Sequence, residues 1–311
     1  MAESKIQNFN HLKIHSQYSI CEGAIKIDAL KDFSKEKKLK SIGICDTGNL
    51  CGALEFAEKI SKVGTQPIIG TQINFKYADT VGQLPLYALN EKGYKKIIEL
   101  SSLSYLKNDE LSDPHLDLSE LLIKHEGVSV FSGTVNGLFG RLFDKGKFTE
   151  IVELYTKLKE NFNNRFYLEI QRHGDQNELN FEKFNLSKSL EIDIPLIATN
   201  EVFYLEKEMH EAHDALICIK NKTYVNEKQR ERFSDQHYFK SNSEMQQLFN
   251  DLPEALENNY NFPLRCCFRP LFSSPILPNI SSEKGGNAEE TIKSESIEGL
   301  KEKFKKIFKI E

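Results

Sequence analysis

Several apolar runs in this 311-residue chain end on side chains that can donate, accept or coordinate: His15, Asp46, Gln72 with Asn74, Asn90, Ser132, His173 and Asn200. If those runs are strands of a parallel barrel, their C-terminal ends converge on one face, and sites in such folds are built there. Polar residues also begin most loops, so the same pattern fits ordinary strand ends. His210 and His213 stand one turn apart on an expected helix and could face the same way, yet no third metal ligand falls at a matching spacing. Residues 132–137, Ser-Gly-Thr-Val-Asn-Gly, bring flexible backbone close to the site face. No Gly-Lys-Ser/Thr follows them, so they make no phosphate loop. His11, His115, His125 and His237 lack partners at ligand spacing and read as surface or ordinary core histidines. The lysine-rich run at 35–40 reads as a solvated helix end.

The elements that must position these groups alternate between short apolar runs and amphipathic stretches. Strands are expected at residues 11–15, 41–46, 67–74, 85–90, 128–133, 165–173 and 195–200, with helices at 27–38, 50–63, 94–106, 149–161 and 179–190. That alternation predicts repeated strand and helix units around a parallel sheet. Asp28 and Asn49 sit where side-chain caps are expected. Beyond residue 200 the pattern turns helical, most clearly at 206–220 and 243–249, and is then punctuated by prolines up to residue 278. The expected organisation is a domain over residues 1–278, a polar linker over 279–290 and a helix over 291–311 that begins another region. That helix carries Leu300, Phe304 and Ile307 on one stripe, which suits a partner surface.

Composition narrows the class. Hydrophobic residues make up 39% and charged residues 28%, which fits a globular protein rather than a disordered or membrane one. No apolar run approaches bilayer length, and the start, MAESKIQNFNHLK, lacks a signal-peptide core, so a cytoplasmic protein is expected. A net charge of -5 argues against strong duplex binding by this piece alone. Cys21, Cys45, Cys51, Cys218, Cys266 and Cys267 show neither a CxxC pair nor regular spacing, so free thiols are expected.

Longer motifs carry a resemblance. Residues 9–19 read Phe-Asn-His-Leu-Lys-Ile-His-Ser-Gln-Tyr-Ser. Residues 46–56 read Asp-Thr-Gly-Asn-Leu-Cys-Gly-Ala-Leu-Glu-Phe, followed by Gln-Pro-Ile-Ile-Gly at 66–70. Tyr-Leu-Glu-Ile-Gln-Arg-His-Gly at 167–174 and Ile-Ala-Thr-Asn-Glu at 197–201 come next. Ser243-Glu244-Met245 and Asp-Leu-Pro-Glu-Ala-Leu-Glu-Asn at 251–258 complete the series. In this order the blocks resemble the N-terminal polymerase-and-histidinol-phosphatase (PHP) domain of the bacterial DNA polymerase III alpha family, the replicative C-family polymerases. The last block resembles the polymerases rather than free-standing PHP phosphatases. The resemblance implies an α/β fold, a distorted, seven-stranded (β/α) barrel similar to a TIM barrel.

Metal-competent members of that family gather His, Asp, Glu and Cys at the strand ends around closely spaced ions, which polarise a phosphoryl oxygen and activate water. This sequence departs from their pattern. Lys13 replaces the first histidine of a pair of which His15 remains, and an ammonium cannot coordinate unless it loses its proton. Thr47 replaces a histidine, Gln72 a glutamate, Thr134 a cysteine, Glu201 an aspartate and Phe203 the last histidine. Gln83 falls, by a loose alignment, where a histidine is common. If any ion is held, the resemblance leaves His15, Glu22, Asp46, His173 and Glu201 to hold it. A vestigial cluster is expected instead, with Lys13 paired to Glu22, Asp46 or Glu201.

For function, the resemblance implies a parent DNA-directed DNA polymerase that uses magnesium, with its catalytic carboxylates in a palm domain outside this segment. No catalytic residue and no cofactor are expected within the chain. Zinc or manganese enters only if the PHP site works, and the alternative role is then a metal-dependent phosphoesterase or 3'-5' exonuclease. The implied partners are the proofreading exonuclease subunit, the remaining polymerase domains in cis, and DNA through the longer protein. No membrane partner is expected.

Overall fold

The computed structural model describes residues 8–108, 112–275 and 287–308. The chain divides into two compact units, Met1–Leu271 and Phe272–Glu311. Among the described residues the first is built on nine strands: β1 (Lys13–Ile14), β2 (Ser41–Thr47), β3 (Gln66–Tyr77), β4 (Thr80–Ala88), β5 (Leu116–Asp117), β6 (Val128–Phe131), β7 (Phe166–Ile170), β8 (Leu196–Ala198) and β9 (Glu201–Val202). Its helices are α1 (Ile27–Glu36), α2 (Ala53–Lys62), α3 (Glu91–Leu106), α4 (Leu118–Leu121), α5 (Leu138–Asp144), α6 (Phe148–Phe162), α7 (Glu178–Ile192), α8 (His210–Asn221), α9 (Asn242–Leu248) and α10 (Pro253–Asn261).

The sheet runs β8-β7-β6-β4-β3-β2-β1-β9, with β5 attached to β3. Its two edge strands, β8 and β9, are separated only by Thr199 and Asn200, so one extended segment pairs with β7 on one side and β1 on the other. That shared segment closes the sheet into a distorted barrel of seven staves, as the sequence predicts.

The expectation of an all-parallel sheet is corrected at one stave. β4 pairs antiparallel with both β3 and β6, because β3 and β4 form a hairpin that turns at Ala78 and Asp79. Reversing that stave carries Asn90 to the opposite end from the other strand ends. There it accepts a hydrogen bond from Gly93 N (3.0 Å) and caps α3. Of the two expected caps, Asp28 lies inside the first turn of α1 and pairs with Lys59 of α2 (2.7 Å), while Asn49 accepts from Cys51 N (3.0 Å) ahead of α2.

The barrel interior is filled by one apolar side chain from nearly every stave: Leu12, Cys45, Ile68, Tyr87, Phe131, Tyr167 and Ile197, with Phe262 packed among them. Tyr87, Phe131, Tyr167 and Phe262 meet edge to face or tilted, with ring centroids 4.6–5.9 Å apart. Gly43 has to be glycine, since a Cβ there would stand 2.4 Å from the Leu12 carbonyl oxygen. Larger apolar layers lie outside the staves, between β1, β2, α1 and α2, and between β3, β4, β6, β7 and α3 to α7. All six cysteines are free.

In the second unit, α11 (Ala288–Phe308) starts three residues ahead of the expected helix, and Leu300, Phe304 and Ile307 are exposed on it. Most of the expected linker, up to residue 286, lies outside the described residues. Among the described residues no helix is long and apolar enough to cross a membrane.

Candidate functional site

Strand periodicity lays a polar layer over the apolar plug. Cys45, Ile68 and Tyr167 face inward, and side chains two or four residues further along a strand face the same way. Thr47, Gln72 and Glu169 therefore follow them inward toward the C-terminal ends of β2, β3 and β7, and Glu201 joins them from the closing segment.

Lys13 reaches into this layer from β1. Its Nζ lies 3.6 Å from Glu169 Oε1 and 3.4 Å from Glu201 Oε1, and the side chain is 1% exposed. Burial opposes its charge, but the two carboxylates outweigh burial and hold the ammonium above its ordinary pKa. Burial alone would raise the Glu201 carboxyl; Lys13 and His15 reverse that and hold it well below the usual carboxylate range. Glu169 is raised by burial, which Lys13 only partly offsets. Its Oε1 also accepts from Thr199 Oγ1 (2.5 Å) and Gln171 Nε2 (3.0 Å), while its Oε2 is buried with no hydrogen-bond partner.

His15 sits at the centre of the layer. Its Nε2 is 3.0 Å from Glu201 Oε1, Gln72 Nε2 donates to that same oxygen (2.8 Å), and the Phe203 ring stacks on the imidazole at 4.6 Å. On the other ring edge, Nδ1 is 3.2 Å from Ser19 Oγ and 3.5 Å from Thr47 Oγ1. Asp46 accepts from Ser16 N (2.6 Å), Ser16 Oγ (2.8 Å) and Ser19 Oγ (2.7 Å), and burial still raises its carboxyl. Glu22 accepts from Thr47 Oγ1 (2.6 Å) and pairs with Lys220 of α8. A cleft of about 750 Å³ opens beside Glu22 and Thr47, bordered also by Asn74, Gln83, Arg141 and Lys220.

A second constellation lies behind Glu201. The rings of His173 and His237 stack in parallel, 4.1 Å apart and 4° from coplanar. His237 Nε2 is 3.7 Å from Asp175 Oδ2, and its Nδ1 is 3.2 Å from the Glu201 carbonyl oxygen. His173, Asp175 and His237 bring one donor atom each to within 4.8 Å of one another, and among the described residues no other such group forms. Burial, and then the charges of His237 and Lys240, hold the His173 imidazole well below its ordinary pKa.

A family model described as a PHP domain matches residues 11–173, just over half of the chain. The chain belongs to the PHP domain family. It is also 36% identical over 97% of its length to the DNA polymerase III subunit alpha of Caulobacter vibrioides, and 38% identical over 97% to that of Rickettsia conorii. Both matches cover only 27% and 26% of the relatives, so the chain spans about a quarter of their length. Among solved structures, a two-domain protein from Bacteroides vulgatus, described as containing a PHP-like metal-dependent phosphoesterase, aligns with a TM-score of 0.42. That match is 15% identical and covers 76% of this chain and 62% of that one. So distant a likeness carries no argument about the site.

Within this PHP barrel, the residues singled out by sequence fall into separate groups. Lys13, His15, Gln72, Glu201 and Phe203 meet around one carboxylate, and Glu22, Asp46 and Thr47 adjoin them through His15, Ser16 and Ser19. Thr134 is not among them. It borders a small crevice with Glu169, Gln171 and Glu178, and its Oγ1 accepts from Asn136 N (3.3 Å). Of the three partners expected for Lys13, only Glu201 is an ion pair in the structure; the other is Glu169, since Asp46 is held by serines and Glu22 by Lys220. His173 stands with Asp175 and His237 rather than with His15.

Three residues were missed or misread from sequence. Glu169 had a signal, a carboxylate inside the apolar run 166–170. Asp175 had one too, two residues after His173. His237 was read as having no partner and is instead stacked on His173; its loop is brought there only by the tertiary fold. The His210 and His213 pair does not converge, because His213 Nε2 is 2.8 Å from the Glu22 carbonyl oxygen and His210 Nε2 is 3.1 Å from that of Phe233.

Proposed function

We propose that this chain is the N-terminal PHP region of a replicative DNA polymerase III alpha subunit, working in the cytoplasm as a structural and docking module. The observation that carries the reading is its 36% and 38% identity, over 97% of the chain, to two such subunits, of which it spans about a quarter. The parent protein then copies DNA with magnesium through carboxylates outside this segment. We assign residues 1–278 to the PHP domain, 279–290 to a linker and 291–311 to the start of the next region in cis. The proofreading exonuclease subunit is the partner to be docked.

The layer around His15 is, on this reading, a site that has exchanged metal ions for internal pairing. A multi-metal phosphoesterase needs several free lone pairs at each ion. Here one oxygen of Glu201 serves Lys13, His15 and Gln72 together, Lys13 offers no lone pair, and Phe203 fills ligand space with apolar volume. The residues present do not fit the ion cluster of metal-competent relatives.

Two assays test the proposal together. The chain is mixed with the exonuclease subunit from the same organism and run on a sizing column, and separately incubated with primed template, nucleotides and magnesium, and with phosphoesters and manganese or zinc. Co-elution without incorporation or phosphoester hydrolysis is expected. Failure to co-elute would remove the docking role, and metal-dependent hydrolysis would restore the phosphoesterase or 3'-5' exonuclease alternative.

A further inference from the structure

We infer that His173, Asp175 and His237 form a single-ion site for a divalent transition metal of the zinc class, separate from the Lys13 and His15 layer. Hydrogen bonds orient each imidazole. His237 Nδ1 faces the Glu201 carbonyl oxygen at 3.2 Å, an acceptor, so Nδ1 carries the proton of the neutral ring and Nε2 carries the lone pair. That Nε2 is buried and has no hydrogen-bond partner, and what stands opposite it, at 3.7 Å, is a carboxylate oxygen of Asp175. A lone pair facing a carboxylate in a buried pocket is repulsive unless a proton or a metal cation lies between them.

The His173 ring is oriented from Asn200. Lys240 Nζ donates to Asn200 Oδ1 (3.0 Å) and Asn200 Nδ2 donates to the Tyr238 carbonyl oxygen (2.9 Å), which fixes Asn200 with its oxygen toward His173 Nε2 at 3.1 Å. The Glu201 backbone N–H also donates to that Nε2 (3.3 Å), and His173 Nδ1 stands 3.7 Å from Glu178 Oε1. Each ring thus has one nitrogen beside a carbonyl or amide oxygen that orients it, as metal-ligating histidines do, and in His237 the other nitrogen has no hydrogen-bond partner. Glu178 is not counted as a ligand, since its carboxylate already accepts from His173 N and Gly174 N.

Two imidazoles and one carboxylate suit zinc or a neighbouring divalent transition ion rather than calcium or magnesium, which prefer all-oxygen shells. The donor atoms, up to 4.8 Å apart, must draw in by about an ångström to share one ion at zinc–ligand distances of about 2 Å. Asp175, with its side chain 20% exposed, lies on the rim and gives the ion its way in. The site does not depend on the docking role proposed above.

The test is calorimetric titration of the purified, chelator-treated chain with zinc sulfate near neutral pH, with thermal melts of each metal-free variant as the folding control. One ion per chain is expected. Asp175→Asn and His237→Gln should each weaken binding at least tenfold, about 1.4 kcal/mol, while His115→Gln, at a half-buried histidine outside the group, titrates like the parent. His237 is buried and its variant could lose the fold, so Asp175→Asn on the rim decides the matter by itself. No zinc uptake by the parent would leave Asp175 and His237 as a plain ion pair and overturn the site. Unchanged affinity in folded Asp175→Asn would overturn it as well.

Discussion

Two clusters of titratable groups lie side by side at the barrel's C-terminal end, and they balance their charges differently. Around His15 the carboxylates are answered from within the chain: Lys13 bridges Glu169 and Glu201, serines hold Asp46, and Lys220 reaches Glu22. Around His173 the geometry is as closely arranged, yet a buried nitrogen of His237 faces a carboxylate with no donor between them. A covalently tethered cation costs the fold nothing in ion concentration, whereas a site left open ties local order to supply. Neighbouring parts of one face can therefore diverge, one becoming scaffold while the other keeps ligand geometry.

The largest effect should come from removing the tethered cation. Lys13→Met leaves two buried carboxylates without their positive partner, and breaking a buried pair from one side typically costs about 3–5 kcal/mol. Urea denaturation of parent and variant measures it. Adding Glu169→Gln to Lys13→Met should recover part of the loss, because one of the two stranded charges is then gone. A cost below about 1 kcal/mol for Lys13→Met would mean that Lys13 is not the counter-charge of this layer.

Next in size is the response to metal. The chelated chain should still melt in one cooperative transition, since Lys13 already supplies the charge the His15 layer needs. Zinc should then raise the melting temperature through His173, Asp175 and His237, by about 2.7 kcal/mol of stabilisation at a hundredfold excess over Kd. Loss of cooperative folding in chelator would break the comparison by showing that the first cluster also relies on an ion.

The barrel was legible in sequence because its staves are short apolar runs whose inward faces repeat every second residue. The closing segment 195–200 was legible as a strand, though not as two pairings. The reversal of β4 was not legible, because alternation gives a strand's faces and not its direction. At the site, Lys13, His15, Gln72, Glu201 and Phe203 could be grouped through the family motifs that number them. Glu169 escaped because the motif run containing it carried no assigned role. His237 escaped for a physical reason: its contact with His173 joins positions 64 residues apart in sequence, with no periodicity linking them.

Acid should separate histidines held by packing from those in the two clusters. Burial lowers His11 to about 3 and His213 to about 4, against ordinary values near 6.5. Folded-state values that lie below the unfolded ones mean that the unfolded chain binds protons first as pH falls. Stability is therefore full above about 6.5 and declines below it, by about 1.4 kcal/mol per pH unit for each histidine, until the folded values are reached. Denaturation curves taken across that window should show the decline, and either His11→Gln or His213→Gln should make it shallower. A slope unchanged in both variants would mean that neither imidazole is kept neutral by its surroundings.

The smallest effect is expected where the His15 layer meets solvent. Glu22 joins Thr47 Oγ1 (2.6 Å) to Lys220 on α8, and the Lys220 side chain is 38% exposed. Burial disfavours the Glu22 charge, but His15 and Lys220 outweigh burial and hold the carboxyl below its usual value. A depressed carboxylate contributes stability above its unfolded pKa and loses it as pH falls through the folded value. Half-exposed pairs of this kind are screened by water and contribute about 0–1 kcal/mol, so Lys220→Met should cost less than about 1 kcal/mol near neutral pH. That cost should shrink further in high salt, because the pair lies at the mouth of the open cleft. A loss as large as that from Lys13→Met, persisting in salt, would show that the charge balance of the first cluster extends out to α8 rather than resting on the buried lysine.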